Sequence, residues 1–246
     1  MSTTKTAIVT GAAKGIGKAI CQRLLHDGYA VVAVDVDEQA GNDLLTALND
    51  QPISFHKTNI SNEAEVKGLF SAVVEKHHRI DAVVNNAGII RDNMIWKMSV
   101  DDFDAVINVN LKGTWLMCRE AAIVMKEQQA GRIVNIASRA WLGNRGQSNY
   151  SASKAGVVAL TRVLALELGK YHVSVNAVAP GLIDTPLTQK LEPVVLQKLI
   201  DAQPSKSMGT PDDVANAVAF LVNADTQFIT GQTIYVDGGK SIGANM

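Results

Sequence analysis

Tyr150 and Lys154 stand four residues apart at the start of an apolar stretch with helical spacing. On a helix that separation puts both side chains on one face. A phenol titrates at about 10 when unperturbed, too high for easy proton exchange at neutral pH. A neighbouring ammonium favours the phenolate and brings that value down. Tyr150 is then suited to give a proton to a carbonyl oxygen or to take one from an alcohol. Alone the pair is a weak signal, because Tyr-x-x-x-Lys arises readily by chance on a helix face. Ser138 adds weight: it ends the apolar run Arg132–Ala137, twelve residues before Tyr150. Its hydroxyl can hold a substrate oxygen, the plainer alternative being a strand-end cap. Asn110 lies within a helical pattern, where a buried amide is unfavourable unless it bonds something.

A second group of residues points to a dinucleotide. The run Thr10-Gly11-Ala12-Ala13-Lys14-Gly15-Ile16-Gly17 joins the first strand to a helix. Glycines there allow a tight turn and a close approach of backbone to pyrophosphate. The free N–H groups at the helix start favour the phosphates. Asp35 ends the next strand, 18 residues after Gly17. A carboxylate there can accept hydrogen bonds from the adenosine ribose and repels a 2′-phosphate, which favours NAD(H) over NADP(H). A solvated turn aspartate is the alternative. Asn59-Ile60 follows the third strand, and the Asn59 carbonyl is an available acceptor.

These groups need a scaffold, and the pattern supplies one. Ala7–Thr10, Ala30–Val34, Ile53–His56, Ala82–Val84, Arg132–Ala137, Val173–Val178 and Thr233–Val236 read as strands, several without alternation, as expected for burial on both faces. Gly15–His26, Glu38–Leu48, Glu63–Lys76, Val100–Gln128, Asn149–Gly169 and Asp212–Asn223 read as helices. Alternating βα units give a parallel, doubly wound α/β sheet of the Rossmann type, with about seven strands in one domain over 1–246. Pro180 to about Pro211 reads as irregular, with a mobile substrate loop near Leu187–Ser207.

The motifs together resemble the short-chain dehydrogenase/reductase family, from about Lys5 to Gly239. Its cofactor signature is Thr-Gly-x-x-x-Gly-x-Gly, present at Thr10–Gly17, and its Asn-Asn-Ala-Gly motif is present at Asn85–Gly88. The resemblance implies a catalytic set of Asn110, Ser138, Tyr150 and Lys154, with Ser138 and Tyr150 meeting the substrate. It gives Asn110 the task of holding a water that relays protons toward Lys154. It implies cofactor contacts from Gly11, Lys14, Gly15, Ile16, Gly17, Asp35, Asn59, Ile60, Asn86, Ala87, Gly88, Tyr150, Lys154, Pro180, Gly181, Ile183 and Thr185. A basic residue at Lys14 accompanies NADP(H) in many members, so NADP(H) stays as the alternative. Asn86–Asn93 and Gly143–Tyr150 are similar to 3-oxoacyl-thioester reductases of the acyl-carrier-protein and coenzyme A kind. The expected reaction is a ketone and secondary alcohol interconversion on a 3-oxoacyl or 3-hydroxyacyl thioester. Small alcohols, diols or cyclic ketones are the alternative substrates, and a non-catalytic dinucleotide-binding regulator is the alternative of another class.

Composition narrows the rest. With 47% apolar and 19% charged residues the chain reads as globular, and its net charge of −1 offers no basic excess for nucleic acid or an anionic membrane. No apolar run is long enough to span a bilayer. No export signal is read before the first strand. Cys21 and Cys118 fall in apolar helical patterns and read as core, and the histidines show no metal-pair spacing. A cytoplasmic enzyme without a metal is expected. Met117, Ile123, Val124, Val158, Leu164 and Leu166 suggest helices with more than one covered face, hence a homotetramer.

Overall fold

Runs of Val, Ile and Ala bury on both faces only where helices cover both sides of a sheet, and the computed structural model, which describes residues 4–186 and 188–242, has that arrangement. Strands β1 (Thr6–Thr10), β2 (Ala30–Asp35), β3 (Ile53–Lys57), β4 (Ala82–Asn85), β5 (Gly131–Ile136), β6 (Val173–Pro180) and β7 (Thr233–Val236) form one parallel sheet in the order β3-β2-β1-β4-β5-β6-β7. The order reverses beside β1, where β2 pairs on one side and β4 on the other. A crevice opens at the carboxyl ends of the strands at such a switch point.

Side chains divide between the faces with a period of two. Ala7 and Val9 of β1 join a core with α1 (Gly15–His26) and the last long helix, while Ile8 joins the opposite core. That last helix is α8 (Pro211–Val222), and its apolar stripe Val214, Val218, Leu221 is fully covered. On the other face Leu69, Phe70 and Val73 of α3 (Glu63–His77) pack with Leu116, Met117 and Met125 of α5 (Thr114–Gln128) and with Leu164 and Leu168 of α6 (Ser148–Leu168). The edge of the sheet is covered by α2 (Glu38–Ala47), where Gly41 leaves room for the Phe55 ring. Cys21 and Cys118 are buried free thiols, and burial pushes both pKa values up. Among the described residues no helix is long and apolar enough to cross a membrane.

Two expectations need correction. The stretch Val100–Gln128 is not one α-helix. It is α4 (Val100–Ile107), a π-helical turn over Asn108–Gly113, and α5. Asn110 sits within that turn, fully buried, and both ends of its amide engage the backbone of Ile89: Oδ1 accepts from the N–H at 2.8 Å and Nδ2 donates to the carbonyl at 3.0 Å. The Thr114 hydroxyl donates to the Asn110 carbonyl at 2.8 Å, so a side chain enters the helix ladder at this point, where helices commonly depart from regular geometry. The stretch Pro180–Pro211 is not wholly irregular either. It contains α7 (Pro193–Asp201), a short helix with proline in its first turn and no buried residue. Leu187, the first residue of the expected substrate loop, lies outside the described residues.

Candidate active site

The β1–α1 turn shows why its glycines are glycines. Gly11 has φ +61°, and a Cβ there would meet Ala87 Cα at 2.8 Å. A Cβ on Gly17 would collide with the Gly11 carbonyl, so α1 lies against the strand end only without a side chain. Asn86 fixes the turn from below: its Nδ2 donates to the carbonyls of Thr10 and Gly11, both at 3.0 Å. Thr10 Oγ1 returns the tie, accepting from the N–H groups of Asn86 and Ala87 at 3.0 and 3.1 Å.

The start of α1 carries no side-chain cap and no acidic residue in its first turn. By contrast α2, α3, α4 and α8 are capped by Asp37, Asn62, Ser99 and Thr210. The open N–H groups of α1 and its dipole therefore remain available to an anion. They face a cleft of about 500 Å³ lined by Gly11, Lys14, Gly15, Ile16, Asp35, Asn59, Ile60, Asn86, Ala87, Gly88 and Thr185 from the expected set. Gly17 stands behind the turn rather than in the wall. Val34, Val36, Thr58, Ile89, Val109 and Pro186 complete the lining and were not foreseen.

Asp35 braces the far wall. Its Oδ2 accepts from Ala13 N–H at 3.1 Å, and its Oδ1 accepts from Val36 and Asp37 N–H at 2.8 and 3.2 Å. Lys14 points away from a free role: its Nζ is paired with Asp37 Oδ2 at 2.7 Å, which raises the lysine and lowers the aspartate. Asn59 Oδ1 accepts from Ser61 N–H and Oγ at 3.1 and 2.8 Å. Side-chain-free backbone, an uncapped helix start and a ribose-side carboxylate in one cleft fit a nicotinamide dinucleotide.

The neighbouring chamber, about 870 Å³, holds the proton chemistry. It is lined by Ser138, Tyr150, Lys154, Pro180, Gly181 and Ile183, and shares Ile16, Asn86, Gly88, Ile89 and Thr185 with the cleft. Ser138 leaves the end of β5, and its Oγ accepts from Ala140 N–H at 3.1 Å, so it is a strand-end cap as well as a chamber wall. Lys154 is buried, and its Nζ donates to the Ile136 carbonyl at 2.7 Å and lies 5.7 Å from the Tyr150 ring centre. Burial pulls its pKa down to about 8. The Tyr150 phenol is raised, first because its burial disfavours the phenolate; a hydrogen bond with Ser138 opposes this and the Asp92 charge adds to it. The expected lowering by Lys154 is not among the influences on this phenol, whose shift is set by burial, Ser138 and Asp92. The raised phenol is the acid form at neutral pH.

Asn110 and Lys154 approach each other around Gly88, where a Cβ would lie 3.3 Å from Asn110 Oδ1 and 3.6 Å from Lys154 Nζ. Asn110 also reaches α6, donating to Ser153 Oγ at 3.2 Å, and Ser153 Oγ donates to the Tyr150 carbonyl at 2.7 Å. Sequence reading missed Asn149. It is fully buried, its Oδ1 accepts from Tyr150 N–H at 2.7 Å, and its Nδ2 donates to the Arg91 carbonyl at 2.8 Å, tying the start of α6 to the 91–102 segment. A buried Asn beside a candidate catalytic tyrosine was the available signal. Among the described residues no cluster of three His, Cys, Asp or Glu side chains could hold a metal.

A dinucleotide cleft and a proton-transfer chamber thus share one wall, as a hydride-transferring oxidoreductase requires. The family model described as enoyl-(acyl carrier protein) reductase matches residues 11–241, and the chain belongs to the short-chain dehydrogenase/reductase family of NAD(P)-dependent ketone and alcohol oxidoreductases. It is 45% identical over 241 residues, 97% of each chain, to the (2S)-[(R)-hydroxy(phenyl)methyl]succinyl-CoA dehydrogenase subunit BbsD of Thauera aromatica. It is 40% identical over 241 residues to the 3-oxoacyl-[acyl-carrier-protein] reductase FabG of Thermotoga maritima, covering 97% of this chain and 98% of that one. Among solved structures, gox2181 is similar with a TM-score of 0.94 and 32% identity over 97% of this chain and 96% of that one. Levodione reductase is similar with a TM-score of 0.91 and 33% identity over 97% and 98%.

Proposed function

We propose that the protein interconverts a 3-oxoacyl and a 3-hydroxyacyl thioester with NAD(H) as the cofactor. The observation carrying the reading is the convergence of Ser138, Tyr150 and Lys154 on one chamber wall beside the dinucleotide cleft. Ser138 and Tyr150 hold the substrate oxygen between two hydroxyl groups. In reduction the Tyr150 phenol gives its proton to that oxygen, and in oxidation the phenolate takes it back. Lys154, held by the Ile136 carbonyl, supplies positive charge beneath the ring and stabilises the phenolate when it forms. Asn110 sets the position of Gly88 and Ile89, which separate the two cavities. The nicotinamide, when bound, supplies or accepts the hydride. Gly11, Lys14, Gly15, Ile16, Gly17, Asn59, Ile60, Asn86, Ala87, Pro180, Gly181, Ile183 and Thr185 are assigned to holding it.

Support for the thioester comes from the Asn86–Asn93 and Gly143–Tyr150 segments and from the two relatives named for thioester substrates. Support for NAD(H) comes from Asp35 on the cleft wall and from Lys14, whose charge is engaged by Asp37. The relevant assay compares acetoacetyl-coenzyme A with simple ketones, each with NADH and NADPH. Turnover of ketones alone would overturn the thioester reading. We assign the enzyme to the cytoplasm as a homotetramer. Met117, Val158 and Leu164 are covered by the protein's own core, whereas Ile123 and Leu166 remain 53% and 86% exposed, so the latter pair is what a partner copy would cover.

A further inference from the structure

The chamber beside Tyr150 has three cationic side chains in its wall, Arg139, Lys154 and Lys240, and no carboxylate. Two of the three are engaged: Lys154 Nζ donates to the Ile136 carbonyl at 2.7 Å and Lys240 Nζ to the Ala202 carbonyl at 2.6 Å. The Arg139 side chain has no hydrogen bond or ion pair to any described residue, and its Nε is buried without a partner. A covered Nε–H without a partner is unfavourable, and the planar fork of a guanidinium matches a carboxylate or a phosphate. Asp92, the acid whose charge reaches Tyr150, is held by Gln147 Nε2 at 2.7 Å and does not line the chamber.

The position of Arg139 adds a distance limit. It directly follows Ser138, so its Cα lies about 3.8 Å from that of the residue assigned to the substrate oxygen. We propose that Arg139 binds a carboxylate on the acyl part of the substrate, so that the enzyme acts on oxo and hydroxy acids bearing a second, free acid group. The phosphates of a coenzyme A or carrier arm have the same charge, but they sit at the far end of a pantetheine chain. The dinucleotide phosphates belong at the start of α1, in the other cleft. The thioester reading above enters only through the form of the first test substrates.

The test uses two pairs of substrates on the whole protein. 3-Oxoadipyl-coenzyme A and 3-oxohexanoyl-coenzyme A have the same chain length and differ by a terminal carboxylate. 4-Oxopentanoate and its methyl ester make the same comparison without a thioester. The expected kcat/KM ratio favours the acid by about tenfold to a hundredfold, as for a charge-assisted hydrogen bond. In Arg139→Met the ratio falls to about one through KM, and Arg139→Lys keeps part of it. A wild-type ratio of one or less, or a ratio unchanged in Arg139→Met, overturns the proposal. So does a loss of affinity for free coenzyme A in Arg139→Met that equals the loss for both thioesters, since the cation would then be reading phosphate. An Arg139-dependent ratio seen only with the thioester-free pair supports the carboxylate site and removes the thioester reading. Thioester turnover without a charge preference does the reverse.

Discussion

Replacing Asp35 with Asn tests cofactor selection at one atom. The side chain keeps an acceptor for the Val36 and Asp37 N–H groups at 2.8 and 3.2 Å and loses its charge. A 2′-phosphate bound where the ribose is expected would lie near that charge. Two unit charges about 5 Å apart repel by roughly 3 kcal/mol at an effective dielectric of 20. Asp35 is only half-buried, so solvent and salt reduce this to about 1–2 kcal/mol. That corresponds to roughly fivefold to thirtyfold in affinity. Fluorescence titration should therefore show NADPH binding improved by about this factor in Asp35→Asn, with NADH binding weakened through lost ribose contacts. Asp37→Asn, which frees Lys14 from its 2.7 Å partner, should shift the preference the same way. The reasoning fails if the wild type prefers NADPH, or if Asp35→Asn leaves the NADPH to NADH ratio unchanged.

Other expectations follow from the same geometry. Tyr150→Phe should lower kcat by about two to four orders of magnitude while NADH binding survives, measured by steady-state kinetics beside titration. Because the Tyr150 phenol is raised, ketone reduction should hold steady through neutral pH and fall on the alkaline side, with alcohol oxidation rising there. Lys154, lowered from 10.5 to about 8, is held at a cost that is fully present below pH 8 and fades as pH rises to 10.5. Lys154→Met should therefore be inactive yet melt higher than wild type at pH 7, with the difference shrinking across that window; a variant that melts lower at pH 7 would refute the cost. Light scattering should give a tetramer, and Leu166→Lys, at a site 86% exposed in the single chain, should split it; a wild-type monomer would refute the assembly.

Much of the fold was legible because parallel strands buried on both faces leave an unmistakable pattern. The runs at Ala30–Val34 and Thr233–Val236 fall within a residue of β2 and β7. The glycine turn was legible because Gly11 and Gly17 have no substitute where backbone approaches backbone. The π turn was not, since one unusual turn barely changes helical periodicity, and the Thr114 hydroxyl that enters its ladder reads in sequence like any other helical threonine. α7 does carry a helical stripe, Val195, Leu196, Leu199 and Ile200, with Pro193 at its start, but it is short and buries none of these residues in the core. The direction of the Tyr150 shift depends on burial, which spacing to Lys154 cannot convey. Arg139, Gln203 and Lys240 meet in one wall from distant parts of the chain, a convergence with no local signature.

The π turn at Asn108–Gly113 sets the phase of everything after it. An α-helix advances by about 100° per residue, so the extra residue that a π turn accommodates rotates α5 by about that angle relative to α4. Leu116, Met117, Ala121 and Met125 face the sheet because of this offset. Deleting one residue near Asn110 and restoring a regular helix would swing that whole apolar stripe off the core, some distance from the cut. The residue count between Val100 and Gln128 thus functions as an angular coordinate, as consequential for α5 as the identity of its buried side chains.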